Sequence, residues 1–129
     1  MTIVRFNKRG LSAVLRTTAR DIVNDIARRA ATSIERDAPR DSNFLAETVE
    51  AIAIGDKGAA SRDEQRVSHR SGETVQRHSE AAPDLPPDTA AVHVGADYAF
   101  DAELREPFIW PNVEAAGAEL PGVVAKRRV

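Results

Sequence analysis

The chain has 129 residues and no cysteine, which excludes disulfides, thiol nucleophiles and metal sites with cysteine ligands. This length is typical of one domain, and we expect residues 1–129 to form a single core without a covalent crosslink. No window approaches the run of about 18 apolar residues that a membrane-spanning helix requires. The N-terminal residues alternate charged with apolar side chains, unlike a secretory signal peptide.

The charges are distributed unevenly, although the formal net charge is only −2. Residues 1–40 carry a local charge of +5, residues 41–100 carry −6, and residues 101–129 carry −1. This asymmetry is consistent with a nucleic-acid-binding patch or with head-to-tail complementarity between copies of the chain. Dispersed charges also commonly do no more than solvate the exposed face of a helix.

The clearest predicted element is a long amphipathic helix over residues 11–38. Its apolar residues recur at steps of three and four and form one stripe. Ser12 is the predicted N-cap, Pro39 ends the helix, and Asp25 and Arg29 are placed to form an i, i+4 ion pair. A helix of about 40 Å, from 1.5 Å per residue, needs a sheet or a neighbouring subunit to cover its apolar stripe.

A turn and a strand are predicted directly after this helix. Residues 41–43 read Asp-Ser-Asn, a sequence typical of a turn or cap. Phe44 and Leu45 return to the core in a short helical turn. Residues 48–54 alternate β-branched and small side chains, which predicts a strand that is buried on part of both faces.

Residues 55–90 form a polar segment with few large apolar side chains. Its two ends have loop-like sequences. Between them, residues 66–70 and 73–78 flank Ser71-Gly72 and predict a polar hairpin, with a helix over residues 73–82 as the competing interpretation. We expect this segment to add little to the core and to be an extended loop or hairpin arm that contacts neighbouring molecules.

The C-terminal third predicts a strand and a helix. Residues 89–94 have β character, and residues 107–111, Pro-Phe-Ile-Trp-Pro, precede a helical pattern over residues 112–124. Pro111 suits the first helical turn, and Pro121 is expected to interrupt the last stretch. Residues 126–128 form a basic tail.

No arrangement of side chains predicts catalysis. His69, His78 and His93 lack any paired metal-ligand spacing and are interpreted as ordinary surface or sheet-face histidines. The acid pair Asp63-Glu64 lies in a polar segment, where the burial that raises a carboxyl pKa is not expected. The glycines match no phosphate-binding pattern. We therefore expect no enzyme and predict no catalytic, cofactor-binding or metal-ligating residue.

Two features allow more than one interpretation. Trp110 is either a core anchor or an interface residue, because tryptophan is enriched at both. The basic residues Arg16, Arg20, Arg28 and 126–128 are compatible with an alternative function, a small cytoplasmic nucleic-acid-binding regulator. No aromatic-interleaved basic strand and no helix-turn-helix spacing accompanies them.

The order of the sequence features resembles one known family, the head–tail joining or tail-completion (neck, tail terminator) proteins of long-tailed bacteriophages. These proteins have a long N-terminal helix that ends at Ala-Pro, a turn that opens a strand, a Tyr-Ala followed by an acidic residue, and a Pro-Phe-hydrophobic-x-Pro before the last helix. The corresponding residues are Ala38-Pro39, 41–45, Tyr98-Ala99, Glu103 and 107–111. Asn43 replaces the turn glycine that the family favours, and no Gly-Thr loop follows Glu103.

The resemblance implies an α+β fold, in which a long N-terminal helix and a C-terminal helix pack on a small, mostly antiparallel sheet with a long polar loop or hairpin. It also implies a structural virion protein without a cofactor, assembled in the host cytoplasm as a sixfold homo-oligomeric ring in the neck. The implied partners are the tail-tube protein and the head–tail connector or stopper proteins. Nucleic acid would meet the protein only by passing through the ring lumen, and no membrane is involved.

Overall fold

Six strands and four helices make up the described part of the chain. The computed structural model describes the backbone of residues 1–7, 16–117 and 124–128, and the side chains of residues 1–5 and 19–116. In chain order the elements are β1 (Thr2–Asn7), α1 (Arg16–Asp37), α2 (Phe44–Glu47), β2 (Val49–Ile52), β3 (Arg62–Val67), β4 (Thr74–Ser79), β5 (Thr89–Val94), α3 (Ala99–Arg105), α4 (Trp110–Gly117) and β6 (Val124–Arg128).

The main sheet has four strands in the order β2-β5-β1-β6, and every neighbouring pair is antiparallel. All six residues of β5 are buried, because this strand lies inside the sheet and both of its faces are covered. The long helix and the C-terminal helices pack on this small antiparallel sheet, which confirms the α+β fold class.

Helix α1 covers one face of the sheet, where it packs against β2 and β5. Its apolar stripe is buried as the periodicity predicts, with Val23, Ala27 and Ile34 each at 0% exposure. The helix ends at Asp37, just before Ala38-Pro39, and Asp25 and Arg29 form the predicted ion pair at 2.9 Å. The predicted N-cap and first residues of the helix, 11–15, lie outside the described residues.

The turn after α1 has the backbone conformation expected from its sequence. Asn43 has φ 64° and lies in the left-handed region, which asparagine tolerates better than most residues. The predicted helical turn follows as α2, with Phe44 and Leu45 buried, and β2 confirms a strand within residues 48–54.

The predicted polar hairpin is present as β3 and β4, which pair from Arg62↔Ser79 to Val67↔Thr74. Its first strand lies earlier in the chain than residues 66–70, because the turn begins at Ser68, whose carbonyl accepts a hydrogen bond from the Gly72 N–H at 2.8 Å. The competing helix over residues 73–82 is wrong, since residues 74–79 are a strand.

The second face of the sheet is covered in part by the segment that was expected to add little to the core. Ile3, Ile52 and Ala91 form a small apolar cluster, and Ala82 and Leu85 pack against it.

Four elements differ from the sequence interpretation. Strand β1 was not predicted, although it pairs with both β5 and β6, and helix α3 was not predicted either. The predicted helix over residues 112–124 is present as α4 up to Gly117, and residue 124 begins β6 and is not helical. The basic tail is therefore part of a strand, while Pro121 and its predicted interruption lie outside the described residues.

Within the ranges that the structure describes, no helix is long and apolar enough to cross a membrane.

Candidate interaction surfaces

The three histidines lie apart from one another. His69 is exposed in the hairpin loop, and His78 Nδ1 lies 2.7 Å from Asp63 Oδ1 across the two hairpin strands. His93 lies in β5 on the second face of the sheet. Among the residues that the structure describes, no group of three or more His, Asp or Glu side chains is placed to hold a metal ion.

His93 is the unusual member of this set. It is 1% exposed, and neither ring nitrogen has a hydrogen-bond partner among the described residues. It stands opposite Ile3 in β1 and Glu50 in β2. Burial, with a smaller effect of the terminal ammonium of Met1, lowers the pKa of His93 to about 4, while the charge of Glu80 acts in the opposite direction. The imidazole is therefore neutral at pH 7. The prediction of a sheet-face histidine is correct, but its isolation was not foreseen.

The acid pair Asp63-Glu64 does not form a dyad. The two residues are neighbours in β3, so their side chains point to opposite faces of the hairpin. Asp63 is exposed and contacts His78, whereas the pKa of Glu64 is lowered, chiefly by its hydrogen bond from Arg66. A lowered carboxyl pKa is the opposite of what a general acid needs at neutral pH.

Arginines attach the hairpin to the body of the protein. Arg62 and Arg66 place their guanidinium carbons 5.4 and 5.6 Å from the ring centroid of Phe44, a residue of α2. Arg66 also forms ion pairs with Glu47 of α2 and with Glu64. These bonds raise the pKa of Arg66, so its charge is fixed at any pH the protein meets.

The second hairpin strand is attached in a similar way. Arg77 lies 4.7 Å from the ring centroid of Tyr98 and 3.9 Å from Asp41 Oδ2. Asp41 accepts hydrogen bonds from Ser68 Oγ at 2.9 Å and from the Arg70 N–H at 3.1 Å. The Ser68 bond contributes most to lowering the pKa of Asp41. The turn after α1 therefore holds the hairpin loop, and the hairpin is attached to the domain through its arginines and the carboxylate of Asp41.

Two of the features that carry the family resemblance, Glu103 and residues 107–111, form one structural unit. The Glu103 side chain of α3 is buried at 4% exposure. Its Oε2 accepts hydrogen bonds from the N–H groups of Phe108 at 2.8 Å and Ile109 at 2.7 Å, and its Oε1 accepts one from Trp110 at 3.1 Å. A single carboxylate thus satisfies the free amides at the start of α4 and fixes the chain between the two helices.

This segment also delivers two side chains to the main core. Phe108 and Ile109 are 1% and 2% exposed, and Ala99 at the start of α3 is fully buried beside them. Trp110 is half-buried and packs against the same core. Its contacts within the chain are therefore those of a core anchor. Pro111 lies in the first turn of α4, as predicted.

The outer side of α3 carries exposed apolar groups. Only three large hydrophobic side chains are exposed among the described residues: Val67 at 55%, Phe100 at 36% and Leu104 at 65%. Phe100 and Leu104 are four residues apart, and therefore lie on one face of α3. Two exposed acids lie three residues before them, Asp97 just ahead of α3 and Asp101 within it. We call these four residues the α3 patch.

A groove lies between α1 and α4. It has a volume of about 420 Å³ and is lined by Arg28, Arg29, Thr32, Ser33, Asn112, Ala115 and Ala116. The side chains of Arg28 and Arg29 are 63% and 64% exposed and both approach Asp25, at 3.7 and 2.9 Å. Asn112 bridges the two helices through hydrogen bonds to Asp37 Oδ2 and the Ser33 carbonyl. This α1–α4 groove combines a basic rim with a floor of small apolar side chains.

The basic residues of the alternative interpretation do not form one described surface. Arg20 donates a hydrogen bond to the carbonyl of Ile54 at 3.2 Å, which ties α1 to the end of β2. Arg28 belongs to the α1–α4 groove. The side chains of Arg16 and of residues 126–128 lie outside the described part of the chain.

Comparison with known protein families, with curated proteins and with solved structures finds no match for the chain.

Proposed function

We propose that the chain is a structural virion protein at the head–tail interface of a long-tailed bacteriophage. In this role it forms a ring that completes or terminates the tail and joins it to the connector. Its partners are further copies of itself, the tail-tube protein and the connector or stopper proteins, and DNA passes through the ring lumen.

The observation that supports this proposal best is the unit built around Glu103. The resemblance to the phage family rests in part on an acidic residue, Glu103, and on the Pro-Phe segment that follows it. In the fold these two features form one unit, because Glu103 binds the amides of Phe108, Ile109 and Trp110. This contact gives the acidic position of the motif a structural role and supports the resemblance.

The surfaces of the domain also suit an assembly protein. A hairpin held by Arg66 and Arg77 exposes Gln65 and Gln76 together with the apolar Val67. The α3 patch and the α1–α4 groove offer two further and chemically different contact areas. A protein that joins two tubular structures needs separate surfaces for its own copies and for each partner, and different self-contacting surfaces generate rings.

The direct test uses particles made by a phage that carries the gene. An early stop codon in the gene is expected to give filled heads and separate tails, and the purified protein added to that lysate is expected to restore infectious particles. Cryo-EM of the restored particles should show density for the chain at the neck. Normal infectious particles in the absence of the protein would refute the proposed function.

A further inference from the structure

The α3 patch is unusual because it stays exposed on a rigidly held helix. The opposite side of α3 is fixed by buried Ala99 and by the three hydrogen bonds of Glu103. Phe100 and Leu104 therefore cannot fold back into the core of the same chain. Single exposed apolar residues are common on protein surfaces, but two on one face with carboxylates beside them form a contact surface.

The α1–α4 groove has the complementary chemistry. Ala115 and Ala116 provide small apolar groups in a concave surface, while Arg28 and Arg29 provide cations at its rim. Arg28 is 3.7 Å from Asp25, beyond hydrogen-bonding distance, and its exposed guanidinium has room to bind a second carboxylate. Thr32 and Ser33 line the same groove; the Thr32 hydroxyl donates to the Arg28 carbonyl at 3.0 Å and keeps its lone pairs as acceptors.

We infer that the α3 patch of one copy docks into the α1–α4 groove of the next copy. Leu104 and Phe100 enter the groove and cover Ala115 and Ala116. Asp97 and Asp101 then reach the basic rim. The occupant is a second copy of this chain because both halves of the contact, an acidic patch with exposed apolar groups and a groove lined by arginines and alanines, are present on one molecule.

This contact joins two different surfaces, so it is heterologous and leaves an unused patch and an unused groove at the ends of any open chain of subunits. Such an interface closes into a ring when the rotation between neighbours allows it. The inference rests on the proposed function, since it supplies the contact between the copies of the proposed ring. Both surfaces flank the segment fixed by Glu103, so little ordering is needed on assembly.

Two variants remove the two halves of the contact separately. Leu104→Ser removes the most exposed apolar group of the patch, and Ala115→Glu places an acidic side chain in the groove. Both positions are exposed, so circular dichroism and melting temperature should remain those of wild type. The matched controls are Val67→Ser, which alters the remaining exposed hydrophobic residue, and Ala60→Glu, at an exposed alanine of the loop before β3.

Native mass spectrometry and sedimentation velocity of the full chain over a range of concentrations measure the contact. Wild type should form oligomers larger than a dimer, and each groove or patch variant should raise the dissociation constant of assembly at least tenfold. Val67→Ser and Ala60→Glu should assemble like wild type.

A mixture of the two variants tests the head-to-tail geometry. The Ala115→Glu copy keeps its patch and the Leu104→Ser copy keeps its groove, so an equimolar mixture should form a heterodimer that cannot grow. A mixture without heterodimers would overturn the inference, and so would a wild-type protein that stops at a two-fold dimer.

The same measurements separate the inference from the proposed function. If wild type forms rings that Val67→Ser dissociates and Leu104→Ser does not, the contact lies on the hairpin, and the inference fails while the proposed function stands. If wild type remains monomeric at every concentration, the inference fails, and the particle experiment above decides the proposed function by itself.

Discussion

Replacement of Glu103 gives the sharpest test of how the fold is held together. Its carboxylate accepts three backbone hydrogen bonds at 2.7 to 3.1 Å, and two of the donors, Phe108 and Ile109, are buried. Glu103→Ala removes all three acceptor contacts at once. Glu103→Gln keeps the shape but turns an N–H₂ group toward backbone N–H donors.

The magnitude follows from the cost of unsatisfied amides. A buried donor that loses its partner costs about 1–3 kcal/mol, and bonds to a charged acceptor are at the upper end of the usual range. Water reaches Trp110 more easily than the other two amides, because its surroundings are only partly buried. We therefore expect Glu103→Ala to lower the free energy of unfolding by about 3 kcal/mol and Glu103→Gln by about half of that.

The assay is urea unfolding followed by the fluorescence of Trp110, the single tryptophan, which lies at the affected site. Thermal melting should agree, with a fall of about 4 °C per kcal/mol for a chain of this length. Glu106→Gln is the matched control, since Glu106 is an exposed acid three residues away. A loss below about 1 kcal/mol for Glu103→Ala, or a loss no larger than that of the control, would refute the assigned role.

Three further predictions concern other parts of the domain. His93 has a folded-state pKa of about 4, below the ordinary value of 6.5. Between these two values the unfolded chain therefore binds more protons than the folded chain. The free energy of unfolding should fall by up to about 3 kcal/mol as the pH drops from 6.5 to 4. Urea titrations at several pH values measure this pH dependence of the free energy of unfolding. It should be absent in His93→Leu and present in His69→Gln. Asn43 has φ 64°, so Asn43→Ala should lower the free energy of unfolding by about 1–2 kcal/mol, and Asn43→Gly should lower it much less. Equal losses in the two variants would contradict an origin in the backbone conformation. Asp41→Ala removes the hydrogen bonds to the hairpin loop. Amide hydrogen exchange should become faster in residues 62–79 and stay unchanged in α1. A uniform change in exchange rate across the chain would count against a local attachment.

The elements that could be predicted from the sequence are those whose signal is local and long. Helix α1 repeats its apolar pattern over several turns and ends at a proline, so neither its type nor its end depends on what it packs against. The turn at Asn43 and the hairpin around Ser71-Gly72 are likewise set by short-range backbone preferences. Both are present in the structure.

The strands that were missed depend on distant partners. Strand β1 contains Arg5 between apolar residues, and its position inside the sheet follows from pairing with β5 and with β6, more than 80 residues away in the sequence. Strand β6 reads as a basic tail, because nothing local shows that Ile3 will lie opposite Arg128. Short strands with interspersed charges have no reliable signal of their own.

The sequence predicts the position of Glu103 in the family motif but not its capping contact with the start of α4. An acidic residue a few positions before the first turn of a helix is a common way to satisfy free amides. The burial of His93, in contrast, could not be foreseen from the sequence. It depends on β1 and β2, which lie on either side of β5, and on Ala82 and Leu85, which cover part of the same face of the sheet.

The uneven charge distribution acquires a different meaning in the folded domain. Several acids of residues 41–100 have partners inside the same segment, since Glu47 and Glu64 bind Arg66 and Asp63 contacts His78, and the excess of acid in the segment remains. The Arg66–Glu47 pair attaches the hairpin to α2, whereas the contact of Asp63 with His78 lies within the hairpin. The acids of the α3 patch differ, because Asp97 and Asp101 form no ion pair with any residue of the described ranges. A complementary contact between copies is therefore better assigned to α3 and the basic rim of α1 than to the polar hairpin.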